Sequence, residues 1–178
     1  CDRRVRPLVR IDTDHHHPAE RDREHRIYAH LRAHAAVPVY VRWRTPNTGK
    51  KVGNIRDWIE RFGAAYPCFI VLDADSLMSV QTLLRLVAAM ENNEQAGLIQ
   101  TVPRLVGGET TFARRQQFAA GDYGPIVSAG LAAWHGHGGN YWGHNANIRV
   151  DPFMHNCDPP MLPGTKPFGG HILSHAFV

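Results

Sequence analysis

Long apolar runs are missing from this chain. No uninterrupted stretch approaches the ~20 residues that a bilayer-spanning helix needs, so no transmembrane segment is expected within it. Cys1-Asp2-Arg3-Arg4 leads into no apolar run, which leaves no signal peptide to read. Cysteine is scarce as well. Cys1, Cys68 and Cys157 form no C-x-x-C pair and cannot all be joined within the chain, so a reduced compartment is the simpler expectation. Cys68 sits in an apolar run and is expected as a buried core thiol. Charge of one sign is also short: 20 Lys and Arg face 16 Asp and Glu, leaving +4. Apart from Arg3, Arg4, Arg6 and Arg10, that excess is too scattered to argue for nucleic acid, and it suits a small polyanionic ligand instead. There is no internal repeat and no low-complexity linker. The chain starts without Met and stops after Phe177-Val178, and it reads as a fragment.

What is present alternates between strand and helix patterns. Pro7 to Asp12 reads as a short strand ending in a polar turn, and Pro18 to His34 as a charged helix. Val37 to Trp43 is β-rich and is followed by a turn at Thr45 to Gly49. Lys50 to Phe62 places Val52, Ile55, Trp58, Ile59 and Phe62 on one helical face. Cys68 to Leu72 is uninterruptedly apolar, as in a strand buried on both sides. Ser79 to Met90 reads as a helix, Ala96 to Thr101 as a strand, and Thr111 to Gly121 as a helix followed by Gly- and aromatic-rich loops. This order predicts one α/β domain over residues 1–178, with a mainly parallel sheet flanked by helices.

The sharpest chemical signal is Asp73-Ala74-Asp75, directly after the apolar strand. Ligands gather at the carboxyl ends of strands in open α/β sheets. Two carboxylates there can hold a hard divalent cation, Mg²⁺ or Mn²⁺, whose oxygen shell is completed by phosphate. The bland alternative is a pair of turn or capping aspartates, because Asp75 and Ser76 stand just ahead of a helix. Lys50-Lys51-Val52-Gly53-Asn54 combines cationic charge, a small residue and a helix start, which suits phosphate, although lysines there are often only solvated. Asp12 can accept from a nucleobase N–H or simply serve a turn. Gly139 to Ala146 sets Tyr141 and Trp142 among glycines and amides, which suits stacking on a sugar but equally suits a core. Pro163 to Gly170 has the composition of a mobile substrate loop. Twelve histidines raise a zinc hydrolase as a third reading. His15-His16-His17 cannot converge on one ion in regular structure, however, and His135-x-His137 lacks a partner at zinc-like spacing.

Taken together, these strings resemble the glucans biosynthesis glucosyltransferase H family, the membrane glucosyltransferases of osmoregulated periplasmic glucan synthesis within glycosyltransferase family 2. The resemblance is carried by NTGKKVGNIRD at 47–57, VLDADSLM at 71–78, GLIQTVP at 97–103, GNYWGHN at 139–145 and LPGTKPFGGHILSH at 162–175. Gln117-Phe118 and Tyr123-Gly124-Pro125 add to it. It implies a GT-A-like fold, here incomplete, and inverting, metal-dependent transfer of glucose from UDP-glucose to a growing β-glucan acceptor. It also implies a catalytic domain on the cytoplasmic side of a Gram-negative inner membrane, anchored through segments outside this chain. By resemblance Asp73 and Asp75 bind the metal and diphosphate, Asp12 meets uracil, and Lys51 and Asn54 meet the donor phosphates. Trp142, Gly143, His144 and Asn145 line the acceptor site.

One departure bears on the chemistry. After Ser174-His175 the family pattern carries an aspartate resembling the general base, and here the position is Ala176. A methyl group takes no proton, and losing a general base typically costs ~10²–10⁴-fold in rate. Smaller departures fall at Pro67, Val80 and a turn at Asp151-Pro152. The chain is therefore expected to transfer glucose poorly, and the competing reading is a non-catalytic nucleotide-sugar binding module.

Overall fold

A computed structural model describes residues 18–42, 44, 46, 48–73, 76–139, 141–142, 144–156 and 163–164. The expected strand at Pro7 to Asp12, the His15–His17 run, Cys1, Cys157 and most of the loop 163–170 lie outside the described residues. The chain divides into two units, Cys1–Trp58 with Pro160–Val178, and Ile59–Pro159.

The first unit contains helix α1 (Pro18–His34) and the start of helix α2 (Lys50–Phe62). α1 opens on proline, which suits a first turn whose N–H groups have no helical partner. It is polar around most of its circumference, and even Ile27 and Leu31 are exposed. The β-rich stretch before α2 forms no strand in its described part, only a single bridge position at Tyr40. Arg42 instead turns toward α2. It pairs with Asp57, and its Nη2 donates to the Asn54 carboxamide oxygen at 2.9 Å and the Asn54 carbonyl at 3.1 Å. The first turn of α2 is tightly built. Gly49 has φ +71° and its carbonyl accepts from Gly53 N–H at 2.8 Å. Any Cβ on Gly53 would collide with the Thr48 carbonyl, which itself accepts from Arg44 Nη2 at 2.7 Å.

The second unit is built on a three-stranded sheet of β1 (Cys68–Val71), β2 (Leu98–Gln100) and β3 (Ala146–Arg149), ordered β1-β3-β2. Both pairings are antiparallel, Val71 standing opposite Ala146 on one side and Gln100 opposite Ala146 on the other. This corrects the mainly parallel sheet within the described residues. β1 and β2 do run the same way, as the strand–helix–strand alternation requires, but they never touch. A strand from some 45 residues further on, running the other way, lies between them. The position of deepest burial moves with it. β1 is an edge strand with Cys68, Phe69 and Ile70 only half-buried, whereas Ala146, Asn147 and Ile148 of β3 are buried. Cys68 is a free, half-buried thiol. Its pKa is raised, mainly by burial and further by Glu91, against an opposing pull from Arg149.

Helix α3 (Val80–Asn92) covers the sheet with Leu86 and Met90, and burying each contributes roughly 1.5–3 kcal/mol. Ser79 caps it, its Oγ accepting from Thr82 N–H at 3.1 Å. Its other end is closed by Arg149, whose guanidinium donates to the carbonyls of Met90 (2.7 Å), Ala96 (2.8 Å) and Asn93 (3.0 Å). The Met90 carbonyl is one that a helix end leaves without a partner, and a cation there also meets the negative end of the helix dipole.

Helices α4 (Thr111–Asp122), α5 (Gly124–His135) and α6 (Val150–Asn156) complete the unit. α4 starts where its pattern predicts, runs one residue past the expected Gly121, and is capped by Thr110, whose Oγ1 accepts from Ala113 N–H at 3.1 Å. α5 and β3 occupy the stretch expected to be loop. The expected turn at Asp151-Pro152 is the first turn of α6, where proline needs no N–H partner. Phe153 of α6 meets Phe69 of β1 edge to face, centroids 5.6 Å apart. Among the described residues no helix is long and apolar enough to cross a membrane.

Candidate active site

The strand directions bring distant residues to one sheet edge. β1 and β2 end there, and β3 begins there, so the segments after Val71, after Leu98–Gln100 and before Ala146 converge. This is the edge at which α/β sheets bind ligands.

From β1 comes Asp73, half-buried, whose carbonyl accepts from Ser76 N–H at 3.1 Å in a tight turn. Ser76 does not cap α3, which takes its cap from Ser79, three residues later. From β2 come Gln100 and Thr101. The Gln100 Oε1 accepts from Trp142 N–H at 3.0 Å and so holds the loop before β3 in place.

Asn145 is the bracket of the edge. Its backbone is left-handed, φ +26°, a conformation that Asn tolerates better than most side chains. Its carbonyl accepts from Thr101 N–H at 3.1 Å and Thr101 Oγ1 at 3.2 Å. Its side-chain oxygen accepts from Asp73 N–H at 3.4 Å. Asn145 is 6% exposed, so its carboxamide serves the frame rather than standing open to sugar hydroxyls.

Trp142 and His144 flank this bracket. Trp142 is 43% exposed and its indole stands 6.3 Å from the His144 ring at 60°, an aromatic wall of the kind that takes the C–H face of a sugar. Two polar atoms here are buried without a hydrogen-bond partner among the described residues, Tyr141 Oη and His144 Nδ1. Leaving such a group unmet costs about 1–3 kcal/mol. Burial, reinforced by the charge of Asp73, pushes the Tyr141 phenol up to about 12.

The expected site residues thus fall into three sets. Asp73, Trp142, His144 and Asn145 come together at one edge. Lys51 and Asn54 lie in the other unit, on α2, where Asn54 is engaged by Arg42 and the space left by Gly53 is filled by the Thr48 carbonyl. Asp12, Asp75, Gly143 and Ala176 lie outside the described residues. Sequence reasoning assigns no role to Gln100 or Thr101, although both stand in the string GLIQTVP, and leaves Tyr141 undecided between core and sugar contact. Among the described residues no three His, Cys, Asp or Glu side chains converge. Asp73 offers a carboxylate oxygen at the edge, a donor that fits a hard cation shared with phosphate.

Comparison with known proteins agrees in kind. The glycosyl transferase family 2 model matches residues 19–156. The chain is 55% identical over 157 residues to the glucans biosynthesis glucosyltransferase H of Xylella fastidiosa, covering 87% of this chain and 25% of the relative. It is 54% identical over 140 residues to that of Xanthomonas euvesicatoria, covering 79% and 22%. To that of Rhodopseudomonas palustris it is 55% identical over 155 residues, covering 87% and 21%. The chain therefore spans about a quarter of the length of the curated relatives it matches. No solved structure matches it significantly. Since the family model extends from α1 through α6 and takes in every strand of the site-bearing sheet, the chain belongs to glycosyl transferase family 2.

Proposed function

We propose that residues 1–178 are a portion of a single GT-A-like catalytic domain of a glucosyltransferase that builds a β-glucan from UDP-glucose with inversion. The observation that carries this reading is the shared edge of Asp73, Trp142 and His144, a carboxylate beside an aromatic wall, in a chain similar to proteins named glucosyltransferase H.

In this reading Asp73, with Asp75 from outside the described residues, holds Mg²⁺ or Mn²⁺ against the donor diphosphate, with Asp12, Lys51 and Asn54 as further donor contacts. When bound, the cation offsets the charge that develops on the departing UDP. Asn145 fixes the Asp73 backbone, so the carboxylate is positioned before ligand arrives. Trp142 and His144, with Gly143 between them, take the acceptor glucan. The whole protein would work at the cytoplasmic face of a bacterial inner membrane, held there by segments beyond this chain.

Ala176 supports a second reading, a module that binds the nucleotide sugar without transferring it. Titrating UDP with Mg²⁺ or Mn²⁺, alongside an assay for transfer from UDP-glucose, tests both. Metal-dependent binding that Asp73→Asn abolishes supports the donor site, and binding without turnover selects the second reading. No binding by the wild-type chain sinks both.

A further inference from the structure

Tyr141 Oη is buried, meets no protein partner among the described residues, and stands close enough to Asp73 to feel its charge. Buried hydroxyls are nearly always hydrogen-bonded, so an unmet one at a sheet edge marks the place of something that arrives later. We infer that the Tyr141 hydroxyl is a ligand-positioning group, donating its hydrogen bond to an oxygen of a bound nucleoside diphosphate sugar beside Asp73. The inference rests on the donor reading above and adds a residue to it.

The chemistry is consistent in sign. A phenol keeps its proton throughout the physiological range, since phenols ordinarily titrate at about 10. It is therefore a standing donor, able to meet an anionic phosphate oxygen or a sugar hydroxyl without a change in charge. Its backbone setting is fixed by the adjacent Trp142 N–H, which donates to Gln100 Oε1 at 3.0 Å. The backbone that carries the ring is thus held in position before ligand binds, which lowers the ordering cost left to binding.

Tyr141→Phe removes the one oxygen and keeps the ring. With Mg²⁺ present, UDP and UDP-glucose are titrated calorimetrically against wild type and Y141F, and both proteins are melted without ligand. We expect Y141F to melt at or slightly above the wild-type temperature, since an unmet polar atom is gone. We also expect about five- to tenfold weaker binding, as loss of one hydrogen bond gives. Weakening confined to UDP-glucose assigns the contact to the sugar, and equal weakening of both ligands assigns it to the diphosphate. Unchanged affinity for both overturns the inference, and so does a melting temperature several degrees lower, which would reveal a structural partner for the hydroxyl. A wild-type chain that binds neither ligand fails at the earlier step, the donor site itself.

Discussion

The side-chain oxygen of Asn145 accepts the backbone N–H of Asp73 at 3.4 Å, joining two residues 72 positions apart. Through it the turn that carries the carboxylate and the turn that carries the aromatic wall become one framework. Asn145→Ala loses this bond and places a Cβ-bearing residue with no local polar compensation at φ +26°. A loss of about 1–3 kcal/mol is expected in urea unfolding. Asn145→Gly relieves the backbone and should recover part of it, whereas equal losses in the two variants would assign the whole effect to the side chain.

Asp73→Asn keeps the shape of the side chain and the N–H that Asn145 holds, but removes the charge. Metal-dependent UDP binding should fall by at least ~10-fold, with the unfolding midpoint little changed. Retained binding with Mg²⁺ would move the cation site away from this edge.

Arg149 closes the end of α3 by donating to the Met90 carbonyl in its last turn, the Asn93 carbonyl at its cap and the Ala96 carbonyl in the turn beyond. Arg149→Met keeps much of the apolar stem and strips the donors. A cost of about 3 kcal/mol is expected from bonds of this charge-assisted kind. Arg149→Lys, with one ammonium in place of a fork, should fall between the two in a urea titration.

Alanine normally outperforms glycine in a helix by ~1 kcal/mol. At Gly53 the sign should reverse, because the added methyl would occupy the position of the Thr48 carbonyl. Gly53→Ala is expected to lower stability by about 1–3 kcal/mol, read from the urea midpoint. A stabilised G53A would show that the turn from Thr48 to Lys50 is free to move aside.

Alkaline pH should also weaken the fold. The Tyr141 phenol is raised from 10.0 to about 12, so the unfolded chain releases this proton first as pH rises through 10. The unfolded state then binds fewer protons than the native one, and stability falls with pH until about 12 is passed. Partial exposure of the ring reduces the effect. Y141F should show a shallower decline between pH 9.5 and 11 in denaturant midpoints, and an identical decline would place the cause elsewhere.

Where the sequence was legible, a single physical signal dominated. The stripe Val52, Ile55, Trp58, Ile59 and Phe62 defines α2 with the bounds it has, Lys50–Phe62. The helices expected over Ser79 to Met90 and Thr111 to Gly121 are found at Val80–Asn92 and Thr111–Asp122, within two residues at each end. α5 gave no such signal. Gly-Pro-Ile-Val-Ser-Ala-Gly-Leu-Ala-Ala-Trp-His is apolar nearly all round and interrupted by glycine, so no face stands out. β3 is four residues long with Asn147 inside it, and its pairing partners lie far away in sequence. The placement of Asp73 just past the end of β1 was legible because strand ends are a local property. The bracket at Asn145 could not be read beforehand, since its meaning depends on Thr101 and Asp73, which only the folded register brings near.

That register also limits how this enzyme family can vary. β3 is paired on both sides, and Ala146 faces Val71 and Gln100 at once. A slip of β3 by one residue would turn every side chain of the strand to the opposite face and break both ladders at once. On the acceptor reading proposed above, replacement at Trp142 or His144 changes substrate preference without disturbing this register, whereas a change of loop length puts it at risk. In a directed-evolution library over this segment, active clones should keep its length while its letters change.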